Sequence, residues 1–160
     1  MGDSVYLREL RRNKGLTQKE AAMYVGIPLR TYSNYENDKN KINTFKYESI
    51  FNKLETYGYI DEEHGIVTID YIITKCKDVF DKYKIEYCYL FGSYAKHSPK
   101  PESDIDLFIN TNITGLKFFE LVEELRESLK KNVDVINQKQ VIDNPVLLDE
   151  ILKYGRKIYG

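Results

Sequence analysis

Leu90-Phe91-Gly92-Ser93-Tyr94-Ala95 and Ser103-Asp104-Ile105-Asp106-Leu107 are the two stretches that decide how this chain folds. The first is an apolar run closed by a Gly-Ser turn, which can wrap backbone N–H groups and a hydroxyl around a polyphosphate. The second sets two carboxylates two residues apart on a predicted strand. Strand side chains alternate with period two, so Asp104 and Asp106 point to the same side. Paired hard oxygen ligands suit Mg²⁺ (or Mn²⁺), which binds through one or two carboxylates plus substrate phosphates. A phosphate cradle and a metal pair together are the parts that nucleotidyl transfer needs.

Working outward, the rear of the chain alternates helix and strand. Thr68 to Lys82 is a predicted helix, with Ile69, Ile72, Ile73, Cys76 and Phe80 at helical spacing. Strands are predicted over Glu86 to Phe91, Asp104 to Ile109 and Val133 to Ile136. A short helix follows Ser93, a long amphipathic one runs from Gly115 to Lys130, and a last one from Pro145 to Tyr154. Arg156 to Tyr159 can add an edge strand. A third acid, Asp134, lies in Asn132-Val133-Asp134-Val135-Ile136. A carboxylate on so apolar a strand is costly unless it is partnered.

The front of the chain reads as four or five short helices. Ser4 can cap the first, with Val5, Leu7 and Leu10 inward, and Asn13-Lys14-Gly15 ends it. Thr17 and Glu20 have the spacing of a capping box. Gly26 makes a turn after Val25, and Pro28 suits a first helical position. Thr44 opens a further helix with Phe45, Ile50, Phe51 and Leu54 inward. Helix, glycine turn, helix is the helix-turn-helix pattern, whose second helix lies in the major groove of DNA.

The seam falls where helical periodicity lapses near Gly58 and Gly65. It divides the chain into 1–58, a linker at 59–67, and 68–160. The net charge is −1 but unevenly spread. The front carries 10 Lys/Arg against 7 Asp/Glu and the rest 14 against 18, so the basic front suits contact with a polyanion. The hydrophobic share of 42% is modest, but 14 Tyr and 7 Phe supply bulk for two small cores. No apolar run approaches the ~20 residues that span a membrane, which leaves no membrane partner. Without a secretory h-region after Met1, and with Cys76 and Cys88 reading as reduced, the expected location is cytoplasmic. Two cysteines far from any histidine do not make a zinc site.

Residues 5–57 resemble the Cro/repressor (Xre-type) DNA-binding family. The matching positions are Leu7, Leu10, Arg11, Leu16-Thr17-Gln18, Ala21-Ala22, Val25-Gly26-Ile27, Thr31-Tyr32 and Tyr35-Glu36-Asn37. The resemblance implies that Leu29, Arg30, Ser33 and Asn34 face bases of double-stranded DNA and that Gln18 touches a phosphate. Leu29 departs from the polar residue usual there and can meet only a thymine methyl.

Residues 69–160 resemble the minimal nucleotidyltransferases (MNT) of the polymerase-beta-like superfamily. Their pattern is Gly-Ser-x-Ala-Arg-Gly, five residues, Ser-Asp-x-Asp-Leu, then a third Asp on a later strand. Here it reads Gly92-Ser93-Tyr94-Ala95-Lys96-His97, Ser103-Asp104-Ile105-Asp106-Leu107, and Asp134. Lys96 replaces Arg and lacks its bidentate fork. His97 replaces Gly, at a site where a side chain makes positive φ costly. The implied fold is an all-α helix-turn-helix domain followed by an α/β (α+β) polymerase-beta-like domain with a small mixed sheet.

The resemblance also implies roles. Asp104, Asp106 and Asp134 hold divalent ions, and Asp134 helps deprotonate the acceptor. Gly92, Ser93, Lys96 and Ser103 bind the nucleotide, with ATP as substrate. Minimal nucleotidyltransferases of this kind accompany HEPN ribonuclease toxins and silence them by transferring AMP to a toxin tyrosine. The chain would then be an antitoxin-type enzyme that represses its own operon. It would act as a homodimer or a hetero-oligomer with the toxin. Two alternatives stay open: a toxin that adds nucleotides to tRNA, and a transcription factor whose degenerate transferase domain senses ATP.

Overall fold

The computed structural model describes residues 6–160; the Ser4 cap and the Val5 core position lie outside the described residues. Contacts divide the chain into two compact units, with the change between Tyr59 and Ile60.

The front unit is helical: α1 (Leu7–Asn13), α2 (Gln18–Val25), α3 (Leu29–Asn37) and α4 (Phe45–Glu55), with a 3₁₀ turn at Lys39–Lys41 before α4. The Thr17 side chain accepts from the Glu20 amide while the Glu20 carboxylate accepts from Thr17, so the capping box is complete. Gly26 ends α2 at φ 83°, a left-handed turn glycine adopts without strain. Pro28 stands one step earlier than expected, as the extended N-cap of α3. The core gathers Leu7, Leu10, Leu16, Ala21, Ala22, Val25, Tyr32, Tyr47, Ile50 and Leu54. Phe45 is a correction: it is 87% exposed. The inward stripe of α4 is Tyr47, Ile50 and Leu54, and a residue two places before Tyr47 falls on the far side of the helix. The Tyr47 hydroxyl accepts from the Leu7 amide at 2.8 Å, tying α4 to the start of α1.

The rear unit comprises α5 (Ile69–Tyr83), β1 (Cys88–Phe91), α6 (Gly92–Ala95), β2 (Ile105–Ile109), α7 (Leu116–Leu129), β3 (Val133–Asn137), α8 (Gln138–Ile142), α9 (Pro145–Tyr154) and β4 (Arg156–Tyr159). The sheet order is β3-β2-β1-β4. Strand β2 runs parallel to β3 and antiparallel to β1, and β4 closes the other edge antiparallel to β1. Alternation sorts the faces. Ile105, Leu107 and Ile109 enter the main core with Leu90, Val133, Val135, and the inward sides of α5 and α7. All three β2 residues are fully buried, so truncating Leu107 to Ala would cost about 2–5 kcal/mol. Cys76 and Cys88 sit in the same core. Burial pushes the Cys76 thiol up to about 12, far from a reactive thiolate.

On the opposite face, Phe91 and Ile136 are covered by Val141 of α8 and Ile151 of α9. The sequence reading did not include α8. Among the described residues no helix is long and apolar enough to cross a membrane.

Candidate active site

Gly92 and Asp106 are placed against each other by the strand pairing. Phe91 pairs with Asp106 across β1 and β2, so the chain turns into α6 directly over the carboxylate. Gly92 holds φ +70°, and a Cβ there would stand 2.9 Å from Asp106 Cγ and nearer still to Oδ2. Glycine is therefore required twice, for the turn and for the close approach. In the parallel pair, Asp106 lies in register with Asp134, so the two carboxylates share the face opposite the main core. Asp104 precedes β2 by one residue and is exposed, as is Asp134, while Asp106 is half-buried.

The electrostatics follow from this crowding. Burial is the largest influence on Asp106, followed by Asp134, Asp104 and Glu150, and together they push its carboxyl up to about 6. Glu150 is paired with Lys96, but Asp104, Asp106 and Asp134 crowd one another with no ion pair among the described residues, and a divalent ion with hard oxygen preferences fits that donor set. Among the described residues no three His, Cys, Asp or Glu side chains are closed on a common point. Rotation of the exposed Asp104 and Asp134 side chains would be needed to close such a site.

The other expected residues occupy defined places. Ser93 is half-buried in the first turn of α6. Ser103 closes a turn, its Oγ accepting from the Lys100 amide at 2.8 Å. His97 does adopt a left-handed conformation, φ 57°, the strain that glycine would avoid. Lys96 is engaged by α9: Nζ donates to Glu150 Oε1 at 2.8 Å and lies 4.9 Å from the Tyr154 ring centroid.

Sequence reasoning missed two residues here. Glu150 is one, and nothing local marked it, since its partner is 54 positions away. Lys131 is the other. It is fully buried, and its ammonium donates to the carbonyls of His64 (2.9 Å), Pro101 (2.7 Å) and Gly65. It thereby fixes the loop that leads into Asp104. Desolvation lowers its pKa, with Asp61 and Glu102 opposing.

In the front unit α3 presents Leu29 (46% exposed), Arg30 and Asn34 to solvent, with Ser33 half-buried. The Ser33 hydroxyl accepts from Asn37 Nδ2. Gln18 is drawn inward, its amide donating to Glu36 at 3.3 Å. Glu36 also accepts from Arg11 at 2.9 and 2.8 Å and from Arg8 at 3.2 Å. Burial works to raise the Glu36 pKa, but the Arg11, Gln18 and Arg8 hydrogen bonds prevail and hold it below the usual range. This network fixes α3 relative to α1 and α2, and hence its exposed face.

The rear unit thus combines a mixed sheet, a glycine turn over a strand carboxylate and a second carboxylate in register. The family model described as Polymerase beta, Nucleotidyltransferase matches residues 74–160, and one described as Helix-turn-helix matches residues 7–56. The chain belongs to the polymerase beta nucleotidyltransferase family, with an Xre-type helix-turn-helix domain in front. It is similar to a putative protein adenylyltransferase of Methanocaldococcus jannaschii, 38% identical over 85 residues, covering 50% of this chain and 84% of that protein. It is also similar to the protein adenylyltransferase MntA of Shewanella oneidensis, 27% identical over 79 residues, covering 48% of this chain and 55% of MntA. A toxin–antitoxin crystal structure with AMP-PNP overlaps at TM-score 0.46 with 25% identity, over 55% of this chain and 73% of that one.

Proposed function

We propose that this chain transfers AMP from ATP to a tyrosine hydroxyl of a partner protein, and that its front domain binds operator DNA and represses the operon encoding the pair. The observation that carries the enzymatic reading is the Gly92–Asp106 juxtaposition with Asp134 in register. Its direction toward protein is supported by the printed names of the relatives, which are protein adenylyltransferases.

Asp104, Asp106 and Asp134 are the residues that would hold Mg²⁺ or Mn²⁺. Such ions, when bound, would supply Lewis-acid stabilisation of the negative charge that develops on the phosphate and the leaving group. Gly92 and Ser93 offer backbone N–H groups and a hydroxyl to the polyphosphate, Lys96 its charge, and Ser103 steadies the approach to Asp104. The acceptor oxygen bonds to the α-phosphorus as the bond to the bridging oxygen breaks and pyrophosphate leaves. Asp134 takes the hydroxyl proton. Catalysis then rests on positioning and charge.

A partner HEPN-type toxin is the proposed acceptor. The rear unit carries more acidic than basic residues, whereas nucleic-acid sites are normally basic, so a tRNA would approach against that charge. On the front unit, Arg30, Asn34, Ser33 and Leu29 of α3 would read bases, with Gln18 near a phosphate.

The test is incubation of the full chain with ATP labelled at the α-phosphate, a divalent ion, and the product of the neighbouring gene. Label on a tyrosine of that protein is the expected result. Label on tRNA ends, or none on either, would overturn the reading.

A further inference from the structure

The ammonium of Lys96 is held by α9, whose Glu150 lies 54 residues further along the chain. Helix α6 is a single turn, and the Lys96 amide donates back to the Gly92 carbonyl at 3.1 Å. The lysine therefore stands one turn from the glycine that abuts Asp106. Its Nζ is taken by two residues of α9: Glu150 Oε1 at 2.8 Å and the face of Tyr154 at 4.9 Å. The position of α9 is not incidental. Ile151, next to Glu150, is buried against Phe91, the residue that leads directly into Gly92. The same anchor thus seats the phosphate turn and the carboxylate that faces Lys96.

We propose that Glu150 is a positioning residue, which holds the Lys96 ammonium for the polyphosphate of the bound nucleotide, with Tyr154 as the aromatic face that limits its swing. This rests on the proposed assignment of Lys96 to the nucleotide phosphates. A lysine is a point charge on a flexible four-carbon stem, without the planar fork that orients arginine. Its direction must come from neighbours. One of its three N–H groups is used by Glu150, which leaves two for phosphate oxygens. Fixing the side chain beforehand removes part of the entropy lost when the ligand binds. The pair is partly exposed, 40% at Lys96 and 32% at Glu150. Such a pair adds little to fold stability, so its effect should be read in binding.

The test is calorimetric titration of the full chain with a non-hydrolysable ATP analogue in the presence of Mg²⁺. The proteins compared are wild type, Glu150→Gln, Glu150→Asp, Lys96→Met and the double variant Lys96→Met/Glu150→Gln. Glu150→Gln should raise Kd about fivefold or more while leaving the melting temperature unchanged. Glu150→Asp should restore part of the loss. In the Lys96→Met background, Glu150→Gln should add less than about twofold, because a residue that acts through another has no effect once the other is gone. In transfer assays KM for ATP should follow Kd, with a smaller change in kcat. Equal or tighter binding by Glu150→Gln would overturn the inference, as would an undiminished loss in the Lys96→Met background. Unaltered binding by Lys96→Met would remove the assignment beneath it. Failure of the wild type to bind nucleotide at all would instead overturn the proposed enzyme.

Discussion

Gly92 and Asp106 occupy one another's space: a Cβ on Gly92 would stand 2.9 Å from Asp106 Cγ, at a φ of +70° that side chains rarely adopt. Gly92→Ala should therefore displace the carboxylate as well as strain the turn. The expected result is loss of transfer by about a hundredfold or more, an effect of the size seen when one electrostatic stabiliser is removed, with destabilisation of about 1–3 kcal/mol. Denaturant unfolding beside single-turnover transfer checks it. Activity within a few-fold of wild type would show that the close approach is unimportant.

The Asp106 carboxyl is pushed up to about 6, first by burial and then by Asp134, Asp104 and Glu150. A carboxyl whose folded pKa exceeds its unfolded value of about 3.9 binds its proton more readily in the native state. Its ionisation therefore weakens the fold as pH rises from about 4 to about 6, and the full penalty stands above that. With divalent ions chelated, Asp106→Asn should melt higher than wild type at pH 7.5, and the gap should close between pH 6 and 4. Adding Mn²⁺ at pH 7.5 should raise the wild type more than the variant. A gap independent of pH would contradict the charge-crowding account.

His97 holds φ 57°, which for a residue with a Cβ costs on the order of 1 kcal/mol. His97→Gly relieves that strain but loosens the unfolded chain, so a net gain of roughly 0.5 kcal/mol is expected. The β-branched His97→Val should lose more than about 1 kcal/mol. Urea midpoints at unchanged slope measure both.

Lys131 donates to the carbonyls of His64, Gly65 and Pro101 from a fully buried position. Lys131→Met keeps the volume but leaves three carbonyls without their donor, at a cost of about 3 kcal/mol or more. Because Pro101 is in the loop before Asp104, transfer should fall further than stability alone requires. Hydrogen exchange localised to residues 61–66 and 98–104 reads the loosening directly.

Arg30 is exposed on α3. Arg30→Ala should weaken binding to the operator by about 1–3 kcal/mol and binding to random DNA much less, since base contacts specify and phosphate contacts do not. Equal losses on both DNAs would reassign Arg30 to the backbone.

What was legible in the sequence was local. The Thr17–Glu20 box, the Gly26 turn and the alternation Ile105-Leu107-Ile109 each follow from a few neighbouring residues, whereas Asp104, expected on the same strand as Asp106, stands one residue before β2. Helix α8 left such a mark too. Asn137 and Gln140 form a second capping box, a local signature of a helix start. Phe45 is apolar yet sits at the start of α4 on its exposed side. The Tyr47–Ile50–Leu54 stripe, which excludes it, was the better guide. Glu150 and Lys131 were beyond local reasoning. Their partners lie 54 and 30 to 67 residues away, and in sequence each is one more charged residue on a surface-like stretch.

The most direct test of the central claim is intact-protein and peptide mass spectrometry of the neighbouring gene product, co-expressed with wild type or with Asp106→Asn. The account predicts one or more AMP adducts on a tyrosine with wild type and none with the variant, at equal levels of folded enzyme. Adducts of equal extent with Asp106→Asn would contradict it, as would an unmodified neighbour with nucleotides added to tRNA.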